Sequence, residues 1–118
     1  MNGPLLTNLQ RDRLLDNWRV NASAGGDAAD FTPVVKLFTP DAGATWLLTE
    51  LNPADEDTLF GLCDLGQGLP ELGYVSLTEL KTVRGKWGLP IERDLHFKAT
   101  RTLNEYAELA RQAGRIVA

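Results

Sequence analysis

Apolar residues along the chain fall into short runs parted by turn-forming clusters, and the spacing inside each run separates helix from strand. Leu14, Leu15 and Trp18 recur at helical spacing behind Thr7 and Gln10, which stand in the S/T-x-x-E/Q relation of a capping box. This predicts a helix over 8–18 with that stripe buried. The small and polar run "NASAGGDAAD" at 21–30 predicts a flexible loop. Three runs of strand character follow: "PVVKLF" at 33–38, "TWLLTEL" at 45–51 and "TLFGLCDL" at 58–65, each closed by turn residues. Connections this short suit antiparallel neighbours, because a parallel crossover needs about a dozen residues or more.

The segment "LGYVSLTELKTV" at 72–83 begins extended and then turns helical, Ser76 and Glu79 repeating the capping spacing over a short helix at 77–83. "LPIERDLHFK" at 89–98 alternates like a strand. Thr102 and Glu105 open a C-terminal helix over 103–113, with Leu103, Tyr106, Leu109, Ala110 and Ala113 on its apolar face and Gly114 as its stop. The order α, β-β-β, short α, β, α predicts an α+β fold. Its sheet is mostly antiparallel, with about four strands in a meander, and helices cover one face. At 118 residues the chain reads as a single domain, 1–118, and an apolar share of 43% is too high for a disordered one.

Composition narrows the setting. The longest apolar runs are far below the roughly 20 residues that span a bilayer, and no basic region followed by an apolar block opens the chain. The single cysteine, Cys63, cannot close an internal disulfide, and thiolate-based zinc sites need more than one. Together these predict a cytoplasmic protein with no membrane partner, no metal and no cofactor. The net charge of −4 hides a polarity: residues 41–80 carry eight acids and no Lys or Arg, whereas 81–118 carry eight bases and four acids. The pattern carries no signal of oligomeric state.

Four groups of residues are candidates for function. Alternation in "IERDLHF" puts Ile91, Arg93, Leu95 and Phe97 on one face and Glu92, Asp94 and His96 on the other. Two carboxylates and an imidazole form a possible polar site, yet a row at about 3.3 Å per residue is too extended for all three to meet one ion. A solvated face is the simpler reading. Arg93, stranded on the apolar side, is expected to be a structural clamp, tied into a partly buried ion pair with an acid from 41–80. Asp64, Glu79 and Lys81 match in form the D…E-x-K pattern of metal-dependent nucleases, but Glu79 looks like a helix-capping residue and the pattern arises often by chance. Lys81, Arg84 and Lys86 around Trp87 are what a single-stranded nucleic acid would want, charge for phosphate and a ring for stacking. The competing reading, that Trp87 is a core residue, is preferred. Asp55, Glu56 and Asp57 form the densest acidic point, a solvated turn or a patch for a basic partner. Cys63, mid-strand, reads as a packing residue and not a nucleophile.

Taken together, "KLFTPDAGATWLLTEL", "LFGLCDLGQGLPELGYVSLTEL" and "VRGKWGLPIERDLHFK" resemble successive motifs of the domain-of-unknown-function family 2958, small proteins encoded on bacterial plasmids, integrative elements and phages. The likeness covers residues 5–100 and rests on Phe38, Thr39, Pro40, Asp41, Trp46, Thr49 and Glu50, on Gly61, Leu62, Glu71, Gly73, Tyr74 and Ser76, and on Gly88, Leu89, Ile91, Glu92, Arg93, Asp94 and Phe97. His96 stands where the family pattern has an aromatic residue, which argues against a catalytic histidine. The resemblance implies a mobile-element accessory protein and no established activity. The expectation is therefore a non-enzymatic protein that binds a protein partner, inhibiting or modulating a host-defence or nucleic-acid-processing protein. A direct single-stranded nucleic-acid binder through Lys81, Arg84, Lys86 and Trp87 is the alternative, and a metal-dependent hydrolase the second alternative.

Overall fold

Thr7 and Thr102 each start a helix by the same reciprocal exchange. Thr7 Oγ1 accepts the Gln10 amide at 3.0 Å while the Gln10 side chain accepts the Thr7 amide at 2.9 Å. Thr102 and Glu105 repeat the pair at 3.3 and 2.8 Å. Two of the amides left unbonded at each helix start are thereby satisfied. In this computed structural model, which describes residues 4–24 and 28–118, the helices are α1 (Asn8–Ser23), α2 (Leu77–Leu80) and α3 (Leu103–Ala113). The strands are β1 (Val35–Phe38), β2 (Thr45–Leu51), β3 (Thr58–Asp64), β4 (Glu71–Ser76) and β5 (Glu92–Arg93). They form one antiparallel sheet in the order β4-β3-β2-β1-β5.

The α+β expectation stands, with several corrections of detail. The sheet has five strands, not about four. The extended start of the 72–83 segment is a full strand, β4, whose edge position, with no residue buried, leaves it without a clear apolar alternation. The meander holds for β1 to β4, and the chain then crosses back to place β5 against β1. α1 runs five residues past the expected end, because nothing before Gly25 breaks a helix. Of the loop expected at 21–30, residues 21–23 thus belong to α1, and 25–27 lie outside the described residues. α2 stops at Leu80, three residues short of the expected end. α3 and its Gly114 stop, at φ +74°, fall where the pattern placed them, although Ala113 is exposed and Ala107 is buried.

Helices on one face only is a further expectation the structure revises. In β2, Trp46, Leu47, Leu48 and Thr49 are all buried in succession, so both faces are covered. Trp46, Leu48, Leu51 and Leu59 pack with Val35, Leu37, Ile91, Leu14, Leu15 of α1 and Leu77 and Leu80 of α2. Leu47 and Leu62 point the other way and pack under Leu103, Tyr106, Ala107 and Ala110 of α3. Each leucine so enclosed contributes about 1.5–3 kcal/mol relative to an exposed one. The two central strands press closely together at Gly61, where a Cβ would overlap the Leu47 carbonyl oxygen.

The acidic turn between β2 and β3 is an internal joint. Asp55 accepts the amides of Asp57 and Thr58 at 2.9 and 3.0 Å and the Thr58 hydroxyl at 2.6 Å. Asp57 reaches the start of α2, accepting the Ser76 hydroxyl at 2.6 Å and the Thr78 amide and hydroxyl at 2.8 and 2.6 Å. These donors, Ser76 first, hold the Asp57 carboxyl below its ordinary value of 3.8. A depressed carboxyl stabilises the fold above the ordinary value, and the contribution is lost as pH falls through the depressed one. Asp57→Ala is therefore expected to lower the melting temperature at pH 7 and to have a much smaller effect at pH 2 to 3, read by thermal unfolding at the two pH values.

Candidate functional site

The chain after α2 closes into a tight loop. Arg84 and Pro90 bridge across its base, the Gly85 amide donates to the Leu89 carbonyl at 2.9 Å, and the Gly88 amide to the Gly85 carbonyl at 3.1 Å. Asp41, from the β1–β2 turn, fills the inside of this loop. Its Oδ2 accepts the Trp87 amide at 2.6 Å and the Leu89 amide at 3.3 Å. Its Oδ1 is buried without a hydrogen-bond partner, and a Cβ at Gly85 would overlap it. A carboxylate on backbone amides is a charge-assisted and therefore strong arrangement. The residue at position 85 has to be glycine for the carboxylate to sit there.

The consequence falls on Trp87. With its amide fixed inward on Asp41, its side chain points out and is 77% exposed. The expectation that Trp87 is a core residue is corrected here: the loop is too tightly closed on Asp41 to turn the indole inward. Lys86 Nζ lies 6.0 Å from the centre of the Trp87 ring. Arg84 is partly engaged, Nη1 donating to the carbonyls of Lys81 and Val83 at 3.0 and 2.8 Å, where it closes the end of α2. Lys81 is exposed. Lys81 and Arg84 also line an open cavity of about 340 Å³ whose apolar walls include Leu5, Leu80 and Ile91. The structure thus gathers Lys81, Arg84, Lys86 and Trp87 along one loop and its flanks.

The other candidates are dispersed or occupied. Extended pairing in "IERDLHF" lasts only for Glu92 and Arg93, so the expected two-faced alternation does not run to Phe97. Asp94 ends it: its carboxylate accepts the His96 amide at 2.9 Å and faces Lys36 Nζ at 3.4 Å. The His96 amide, and behind it Lys36, hold the Asp94 carboxyl below the ordinary carboxylate range. Glu92 and His96 are left exposed on either side, and Leu95 is 76% exposed where alternation had placed it inside. Arg93 donates from Nη1 to the Pro4 carbonyl at 2.7 Å, and among the described residues no acid of 41–80 pairs with it. Its tie is to the backbone leading into α1, where the pattern predicted a carboxylate.

Asp64 and Glu79 do not meet. Asp64 stands at the end of β3, with its carboxylate on the amides of Gly66 and Ile116 at 2.8 and 2.9 Å. α2 follows Ser76, which pairs with Thr58 at the other end of the strand, about 20 Å away at 3.3 Å per residue. Among the described residues, no three of His, Cys, Asp and Glu are placed so that they could hold a metal ion. The carboxylates of Asp55 and Asp57 are engaged within the fold, and Glu56, at φ +48°, faces Arg11 at 3.5 Å. Cys63 is half-buried and its thiol is pushed up to about 11 by burial, which fits a packing role.

Asp41 is the residue whose role the pattern did not single out. Within "TPDAG" it reads as a local turn former, and an Asp in such a turn ordinarily serves its own neighbours. Its partners lie 46 and 48 residues further on. The signal that pointed to it was its place among the motif residues of the resemblance, together with Gly88 and Leu89.

The fold and this loop define a small α+β domain that holds an exposed tryptophan on a loop closed around a partly buried carboxylate. The chain belongs to the family described as protein of unknown function (DUF2958), whose model matches residues 5–117. The match runs through α3, so the C-terminal helix lies inside the family's span and not beyond it, as a likeness ending at residue 100 had suggested. No curated protein and no solved structure matches the chain. Among the described residues no helix is long and apolar enough to cross a membrane.

Asp41→Ala leaves the Trp87 and Leu89 amides without their acceptor and is expected to cost about 1–3 kcal/mol in urea unfolding. Gly85→Ala should cost a similar amount by displacing the same carboxylate. Lys86→Ala, in the same loop but exposed, should stay within about 0.5 kcal/mol of wild type.

Proposed function

We propose that this protein acts by binding. It is a small cytoplasmic accessory protein of a mobile genetic element, and its Trp87 loop docks on a host-defence or nucleic-acid-processing protein and modulates it. The mobile-element setting comes from the family resemblance. The binding mode is carried by one observation, an indole 77% exposed on a loop whose backbone is fixed from within by Asp41. A large aromatic side chain normally hides from water. Held rigidly outside, it loses little conformational freedom on docking, which is the character of interface anchors. Leu89, 44% exposed, extends the apolar patch, and Lys81 and Lys86 give it a basic border. Asp55 and Asp57 take no part in this surface, because their carboxylates serve the β2–β3 turn and α2.

A second reading has support from the same exposed ring and basic border: the indole stacks on a base and Lys81 and Lys86 meet phosphates of a single-stranded nucleic acid. Against it stand the engagement of Arg84 with two backbone carbonyls and the chain's net charge of −4. The metal-dependent hydrolase has no comparable support, since Asp64 and Glu79 lie on separate elements and the Asp94 carboxylate between Glu92 and His96 is engaged by the His96 amide and Lys36.

Capture from a bacterial lysate on immobilised protein separates the readings. A stoichiometric protein partner is expected with wild type. Trp87→Ala should weaken its binding by about thirty-fold, the effect of an interface anchor worth about 2 kcal/mol. Binding to an oligothymidylate that depends on Trp87 and falls steeply between about 50 and 200 mM salt, with no protein captured, would transfer the assignment to the second reading. No partner and no oligonucleotide binding would contradict both.

A further inference from the structure

A different part of the molecule assembles an aromatic pocket around an acid. Glu50 of β2 pairs with Phe60 of β3, and Phe60 pairs with Tyr74 of β4, so the three stand in one cross-strand row. A register shift between Leu48 and Glu50 places the acid there. Leu48 and Leu51, three residues apart, both reach the same buried cluster, and the extra residue leaves Glu50 beside Phe60. Trp18 of α1 closes the row from above. Its ring centre is 6.2 Å from that of Tyr74 at 61°, and Phe60 lies 5.0 Å from Tyr74 at 54°. With Asn21 these residues line a cavity of about 360 Å³, within the range of small-ligand pockets.

Two features point to what such a cavity takes. The rings are not packed away: Tyr74 is 66% exposed, and Trp18 and Phe60 are only half-buried. Glu50 is also half-buried, and among the described residues no Lys or Arg pairs with it. Burial pushes its carboxyl above the ordinary 4.5, against the neighbouring Asn21 and Thr49 side chains, which favour the ionised form. A partly desolvated carboxylate without a counter-ion is unfavourable, and it is relieved by a cation. Aromatic rings attract cations through the negative face of their quadrupole, so a cavity lined by three rings and a carboxylate favours a cation with an apolar shell over a small hydrated one.

We propose that this pocket binds an organic cation of the alkylammonium class, its methyl groups against Trp18, Phe60 and Tyr74 and its charge toward Glu50. The same chemistry is offered by a free quaternary ammonium compound and by a methylated lysine side chain. The proposal does not rest on the Trp87 loop and fails or stands separately from it.

The test is calorimetric titration of the full chain with choline, with its uncharged isostere 3,3-dimethylbutanol, and with a short peptide carrying trimethyllysine or unmodified leucine. Choline or the trimethyllysine peptide should bind, and each uncharged counterpart should bind about ten-fold more weakly or worse. Glu50→Gln and Tyr74→Ala should each weaken the cation by about ten-fold or more, while Tyr74→Phe keeps it and circular dichroism shows all three folded. Tighter binding of choline would assign a small molecule, and tighter binding of the peptide a modified side chain. Equal affinity for charged and uncharged ligands, no binding of either cation at millimolar concentration, or a folded Glu50→Gln variant that binds as wild type would each overturn the proposal.

Discussion

The Asp41 carboxylate is the constraint on which the exposed face of this protein depends. A loop of two glycines, a lysine and a tryptophan has little reason of its own to hold one shape, because glycine leaves the backbone free and an indole gains by burial. One carboxylate oxygen resolves both tendencies by taking the amides of Trp87 and Leu89, and the other sits against Gly85 where any side chain would displace it. The turn after β1 and the loop after α2 are therefore one structural unit, although more than forty residues separate them in sequence. Trp87 is exposed because its backbone is committed inward.

The sheet supplies the platform for this arrangement. β2 is buried on both sides, with α3 over Leu47 and with α1 and α2 side chains against Trp46 and Leu48, so the strands that carry the Asp41 turn have few ways to shift. The joints at the ends of the sheet are made by acids in the same manner as the loop. Asp57 joins the β2–β3 turn to α2, Asp64 takes the amides of Gly66 and Ile116, and Asp94 ends β5. Many of the acids of the 41–80 segment are thus spent on backbone amides, which explains how a stretch with eight acids and no base folds without charge partners of its own.

Much of the fold was legible because its signals are local. Both capping boxes at Thr7 and Thr102, the Gly114 stop and the three central strands are written in contiguous residues; the caps and the stop fall where the pattern puts them, and the strands do so apart from a later start of β1 at Val35 and an earlier end of β3 at Asp64. What was not legible depends on distant partners. β4 lies at an edge with none of its residues buried, so it shows no apolar alternation. The strand read across 89–98 shrinks to Glu92 and Arg93 because Asp94 turns to its own His96 amide and to Lys36. Arg93 stands out among apolar neighbours in the sequence, but its acceptor is a backbone carbonyl, which leaves no mark there. The exposure of Trp87 is hidden for the same reason: tryptophan is usually buried only where the backbone is free to turn it inward, and the Asp41 contact that prevents this lies far away in sequence.

The two surfaces proposed for binding share a logic. In each, aromatic area left in water lies beside a carboxylate set by backbone geometry: Asp41 inside the Trp87 loop, and Glu50, placed by the register shift, next to the row of Phe60 and Tyr74. The central claim, that Asp41 holds the tryptophan loop in one shape, is tested most directly by amide hydrogen exchange at Trp87. In the wild-type protein this amide is predicted to be protected well above the rate of an open loop although its own side chain lies in water, and in Asp41→Ala the protection should vanish while the amides of β2 and β3 keep theirs. Fast exchange at Trp87 in the wild type, or equal protection in the two proteins, would contradict the account.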